Sequence, residues 1–86
     1  MKGLFNKVRN RYTRQRYVVS TIRKGEELFE TAVFTATFFY FPKSLANPDM
    51  TVQTQTQDEA WDTHYLITDR LTQEYPARLF QEFTPR

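Results

Sequence analysis

The longest β-forming run in the chain is Leu28 to Phe41, rich in Phe, Thr, Val and Tyr, the types that suit a pleated, half-buried surface. Side chains alternate along a strand, so one face reads Leu28, Glu30, Ala32, Phe34, Ala36, Phe38 and Tyr40. The other reads Phe29, Thr31, Val33, Thr35, Thr37, Phe39 and Phe41. Three threonines mark the second face as the more polar, so the first is the expected core face despite Glu30. Fully extended, the run would span ~45 Å, beyond an ordinary strand, and a break is expected near Ala36 to Phe38. Pro42 ends it, because proline cannot donate to a ladder.

Tyr17 to Ile22 predicts an earlier strand, and residues 23–27 a turn in which Gly25 is free to take a positive φ. Residues 17–41 thus read as an antiparallel hairpin. Residues 42–49 hold two prolines and an Asn-Pro-Asp sequence, which predicts a loop. Thr51 to Thr56 alternates small β-formers with glutamine, a polar third strand suited to a sheet edge.

Thr56-Gln57-Asp58-Glu59 fits a capping box. It opens a helix over about residues 57–75, with Ala60, His64, Ile67 and Leu71 on one face. Pro76 sets its end. Residues 78–83 fit either a helical turn or a closing strand. The expected fold is α+β: a small antiparallel sheet of three or four strands with one long helix packed on one face.

Charge divides this picture. Six of the twelve Lys and Arg lie in residues 1–16, with no Asp or Glu; the other six share residues 17–86 with all ten acids. The expected organisation is a basic N-terminal arm, 1–16, on a single domain, 17–86. Leu4, Phe5, Val8 and Tyr12 would share one side of a weak helix in the arm; the alternative is a solvated tail whose last residues extend the first strand. Lys7, Arg9, Arg11, Tyr12, Arg14 and Arg16 interleave cations with aromatics, a pattern suited to phosphate contact and base stacking. An anionic membrane surface is a weaker candidate for the same arm.

Phe38, Phe39, Tyr40 and Phe41 are consecutive aromatics. In a strand they would point two to each face, with a helix on one face and the arm or tail on the other. Left exposed, they would form a patch for self-association or for a protein partner.

Candidate chemistry is sparse. No cysteine is present and His64 is the sole histidine, so neither a disulfide, a zinc-thiolate site nor a His-x-x-x-His pair is available. His64 reads as a packed core histidine with one hydrogen-bond partner. Asp58 and Asp62 share a helix face but read as a solvated acidic pair. No Walker loop, dinucleotide fingerprint or EF-hand pattern occurs. The expectation is a non-enzyme without cofactor or metal. No apolar run approaches the ~20 residues of a membrane span, and no signal peptide is expected; the reading is cytoplasmic.

Phe29-Glu30-Thr31-Ala32-Val33-Phe34, followed after an insert by Glu59-Ala60-x-x-x-His64 in a capped helix, resembles small uncharacterised proteins encoded by bacteriophages. The likeness spans residues 17–34 and 56–71. It implies a phage-like origin, a host-cell cytoplasmic setting and a compact sheet-and-helix unit in which Glu30 and His64 are structural partners. It implies no activity.

Three functional expectations follow. The first is a small non-enzymatic accessory protein that docks on a host or viral protein, or on itself as a homodimer. The alternative is a nucleic-acid-binding accessory protein that uses the basic arm. The third, an enzyme built on His64, lacks a nominated second group.

Overall fold

A computed structural model describes residues 3–83. Strands β1 (Leu4–Arg9), β2 (Arg16–Gly25), β3 (Leu28–Ala36) and β4 (Met50–Thr54) precede helices α1 (Gln57–Gln73) and α2 (Pro76–Phe83). The strands form one antiparallel sheet in the order β1-β2-β3-β4. This is an α+β unit with the polar β4 at one edge. Both parts of the Thr56–Glu59 capping box are present, and they satisfy backbone donors that a helix start leaves orphaned.

Several expectations are corrected. Leu4–Arg9, read as part of an arm with weak helical periodicity, is the second edge strand, paired with β2 from Leu4↔Thr21 to Arg9↔Arg16. Lys7, Arg9 and Arg16 of the basic stretch therefore lie within the sheet, Arg11 and Arg14 lie in the β1–β2 turn, and its first two residues lie outside the described residues. The long helix stops at Gln73, and Pro76 begins a separate helix covering the undecided residues 78–83; proline fits a first helical turn because its missing N–H has no intrahelical partner there. Gly25 pairs with Leu28 beside a bulge and does not take a positive φ.

Residues 38–41 do not continue β3. The chain turns back, with Tyr40 N donating to Thr37 O at 3.0 Å, Thr37 N donating to Phe41 O at 2.9 Å, and Tyr40 at φ 64°. Phe38, Phe39 and Phe41 are about two-thirds or more exposed, at 68%, 73% and 68%.

The helices cover the opposite sheet face from the one expected. Val8, Tyr17, Val19, Val33 and Met50 pack with Ile67, Leu71 and Leu79. Phe29 meets Trp61 edge-on at 6.2 Å. The threonine-bearing face of β3 is thus the core face. Its hydroxyls are accommodated because Thr31 and Thr21, fully buried, are 2.6 Å apart and Thr21 is 2.8 Å from His64 Nδ1. The expected core face, containing Ala32, Phe34 and Ala36, carries no helix.

His64 has two partners, not one: Nε2 lies 2.7 Å from Asn6 Oδ1. Glu30 is not among them, since it sits on the other sheet face and pairs with Lys24 at 3.1 Å.

The closed end of the β1–β2 hairpin is fastened to α1 by buried Asn10. Its amide donates to Leu71 O (2.7 Å) and Glu74 O (2.6 Å), while Oδ1 accepts from Tyr12 N and Thr13 N, both at 2.9 Å. One side chain therefore supplies donors to carbonyls at the helix C-terminus and acceptors to the turn. Arg70 of α1 pairs with Glu74 at its own helix C-cap and with Glu82 of α2, and the second pair ties the two helices together. These charge-assisted bonds raise the Arg70 pKa above its ordinary value and lower that of Glu82.

Candidate nucleic-acid interface

The helix-free sheet face is organised by register. Three cross-strand rows can be followed: Phe5–Ser20–Ala32–Thr51, then Lys7–Val18–Phe34, then Arg9–Arg16–Ala36. Alternation puts these side chains on one face, because Val8 and Tyr17 beside them point into the helix-side core. Small neighbours leave Phe5 standing clear, 57% exposed.

Arg9 and Arg16 are directly opposed. Like charges in that position destabilise a sheet. No acid offsets them: among the described residues the ion pairs are Lys24–Glu30, Arg70–Glu74 and Arg70–Glu82. The turn after β3 lies against this basic end. The Arg16 guanidinium is 4.3 Å from the Phe38 ring centre and 5.6 Å from that of Tyr40, and Lys7 Nζ is 6.0 Å from Tyr40. Rings at these distances attract the cations electrostatically.

The sequence-predicted residues thus divide. Lys7, Arg9 and Arg16 share the open face with Phe38 and Tyr40. Arg11 and Tyr12 lie at the α1 end: Arg11 Nη1 donates to Gln73 Oε1 at 3.1 Å, and Tyr12 stacks on Tyr75 with ring centres 4.5 Å apart. Arg14 occupies the β1–β2 turn with φ 66°. Phe39 meets Phe38 edge-on at 5.3 Å, and Phe41 stands exposed beyond it. The sequence placed Phe5 in a helical stripe of the arm and Phe34 on the expected core face, and assigned neither to a binding surface. The signal was present in β1, where Leu4, Asn6 and Val8 alternate with Phe5, Lys7 and Arg9.

His64 is unsuited to proton transfer with solvent. It is fully buried, and burial lowers its pKa from the ordinary histidine value. Asp58 and Asp62 are exposed on α1. Among the described residues no group of three or more His, Cys, Asp or Glu is placed to hold a metal, and no helix is long and apolar enough to cross a membrane. Compared with known proteins, the chain matches no family model, no curated protein and no solved structure.

Proposed function

We propose that this protein binds single-stranded nucleic acid on the open face of its sheet, as a non-enzymatic accessory protein. The observation that carries this reading is the unneutralised Arg9–Arg16 pair at the basic end of that face. Two cationic residues in one register position cost stability alone, whereas strand phosphates beside them turn that repulsion into charge-assisted contacts. Lys7 adds a third cation. Phe5, Phe38 and Tyr40 offer ring faces to unpaired bases, which a duplex keeps stacked inside.

The test is fluorescence anisotropy with single- and double-stranded DNA and RNA. Single strands should bind more tightly than duplexes, and Arg9→Gln and Phe5→Ala should each weaken binding while leaving the fold intact. Equal binding by the variants would remove this reading.

A second reading, docking on a protein, draws on Phe38, Phe39 and Phe41, exposed together in one turn. It covers a host or viral partner and a homodimer alike. Sedimentation of the protein alone separates the latter: a dimer that becomes monomeric in Phe39→Ser supports self-association through the turn.

A further inference from the structure

A hollow of about 240 Å³ opens at the end of the sheet, between the β1–β2 turn and the β3–β4 connection. Arg14, Gln15, Arg16, Thr37, Phe38 and Lys43 line it. Three cationic residues thus border one small space, and none forms an ion pair with a carboxylate among the described residues. Their backbones are held. Lys43 N donates to Thr35 O at 2.9 Å, Arg14 N donates to Asn10 O at 3.0 Å, and Arg16 belongs to β2. Gln15 Nε2 engages the Ala36 and Arg16 carbonyls at 3.1 and 2.9 Å, so these acceptors already have a donor. The Phe38 ring, 4.3 Å from the Arg16 guanidinium, restricts that side chain from one side.

We infer that this hollow binds a terminal phosphate monoester, the phosphorylated end of a strand lying on the sheet face. The inference rests on the nucleic-acid reading for the identity of the strand. Position supports it: the hollow lies next to the Arg9–Arg16 row, where β2 begins and β3 ends, so a strand on the face runs out there. Charge supports it as well. An internal diester carries one negative charge, while a terminal monoester carries about −1.5 to −2 and three strong acceptor oxygens. Three cations match the second better than the first. Arg14 and Lys43 stand outside the open-face rows, so the hollow can be altered without altering Phe5, Lys7 or Arg9.

The experiment is competition against one internally labelled oligonucleotide by unlabelled strands of the same sequence. These carry a 5′-phosphate, a 3′-phosphate or hydroxyls at both ends. One phosphorylated form should compete about tenfold better than the hydroxyl form, the size of one added charge-assisted contact. That preference should fall to about one in Arg14→Gln and Lys43→Gln, while the hydroxyl strand binds as before. Equal competition by all three strands, with binding retained, overturns the hollow and leaves the sheet-face reading standing. If no strand binds, the sheet-face reading fails, and amide chemical shifts during titration with inorganic phosphate read the hollow alone. Saturable shifts at residues 13–16 and 43, lost in Lys43→Gln, sustain a phosphate site there; their absence overturns it.

Discussion

His64 Nε2 donates a hydrogen bond to Asn6 Oδ1 at 2.7 Å, joining the middle of α1 to the edge strand β1. The direction fixes the rest of the chain. A neutral imidazole that donates at Nε2 must accept at Nδ1, so Thr21 donates to His64 and its oxygen accepts from Thr31. Four strand and helix positions are thus linked by one ordered series. The series predicts unequal costs. Thr31→Val removes only a terminal donor and should cost under ~1 kcal/mol. Thr21→Val leaves Nδ1 unpaired, and Asn6→Ala leaves a buried N–H unpaired; each should cost about 1–3 kcal/mol. Urea unfolding of the three variants measures the order, and equal losses would contradict it.

The same histidine makes stability depend on pH. Its folded pKa lies below the ordinary value, so between the two the unfolded chain binds more protons. The stabilisation is present above the unfolded histidine pKa of about 6.5 and is lost as pH falls through the folded value. Midpoints of urea unfolding should therefore decline below about pH 6.5. The imidazole resonances should still report a neutral ring there. In His64→Gln this component of the slope should be missing.

Buried Asn10 bonds to both the C-terminal end of α1 and the β1–β2 turn. Asn10→Ala strips a donor from two helix carbonyls and an acceptor from two turn N–H groups. The expected loss is about 2–4 kcal/mol. Asn10→Asp keeps the acceptor but loses the donor, and it brings a carboxylate against two carbonyls. It should not restore stability, and thermal unfolding of both variants checks this.

The apposition of Arg9 and Arg16 predicts a gain where a surface change is ordinarily neutral. Arg9→Gln should raise stability by a few tenths of a kcal/mol at low salt, with the gain shrinking as salt screens the pair. The same variant should bind nucleic acid less well. A loss of stability at low salt would show that the repulsion is offset within the protein itself.

How far the chain could be read in advance depended on which interactions are local. The capping box at Thr56 and the buried positions Ala60, His64, Ile67 and Leu71 are written in short-range spacing, and both were legible. The core face of β3 was not. Thr31 looks polar in isolation, and only the approach of Thr21 and His64 makes it a core residue. Glu30 appeared to spoil its face because that face is open. In β1 the period was misread: Leu4, Phe5, Val8 and Tyr12 fit a helical stripe, but the two-residue alternation of Phe5, Lys7 and Arg9 is the one the sheet uses. Six residues are too few to separate the two periods without a partner strand. At the interface, cations and rings were recognised as types, while Arg9 opposite Arg16 is a matter of register.

The claim that the open sheet face binds single strands is tested most directly by the salt dependence of that binding. Log affinity should fall against log salt with a slope near −2, the value for about three phosphates contacted on a single strand by Lys7, Arg9 and Arg16. Arg9→Gln should reduce that slope by about 0.7. Phe5→Ala should lower affinity about tenfold and leave the slope unchanged, because stacking releases no counterions. Binding with no salt dependence, or binding that both variants leave untouched, would contradict the account.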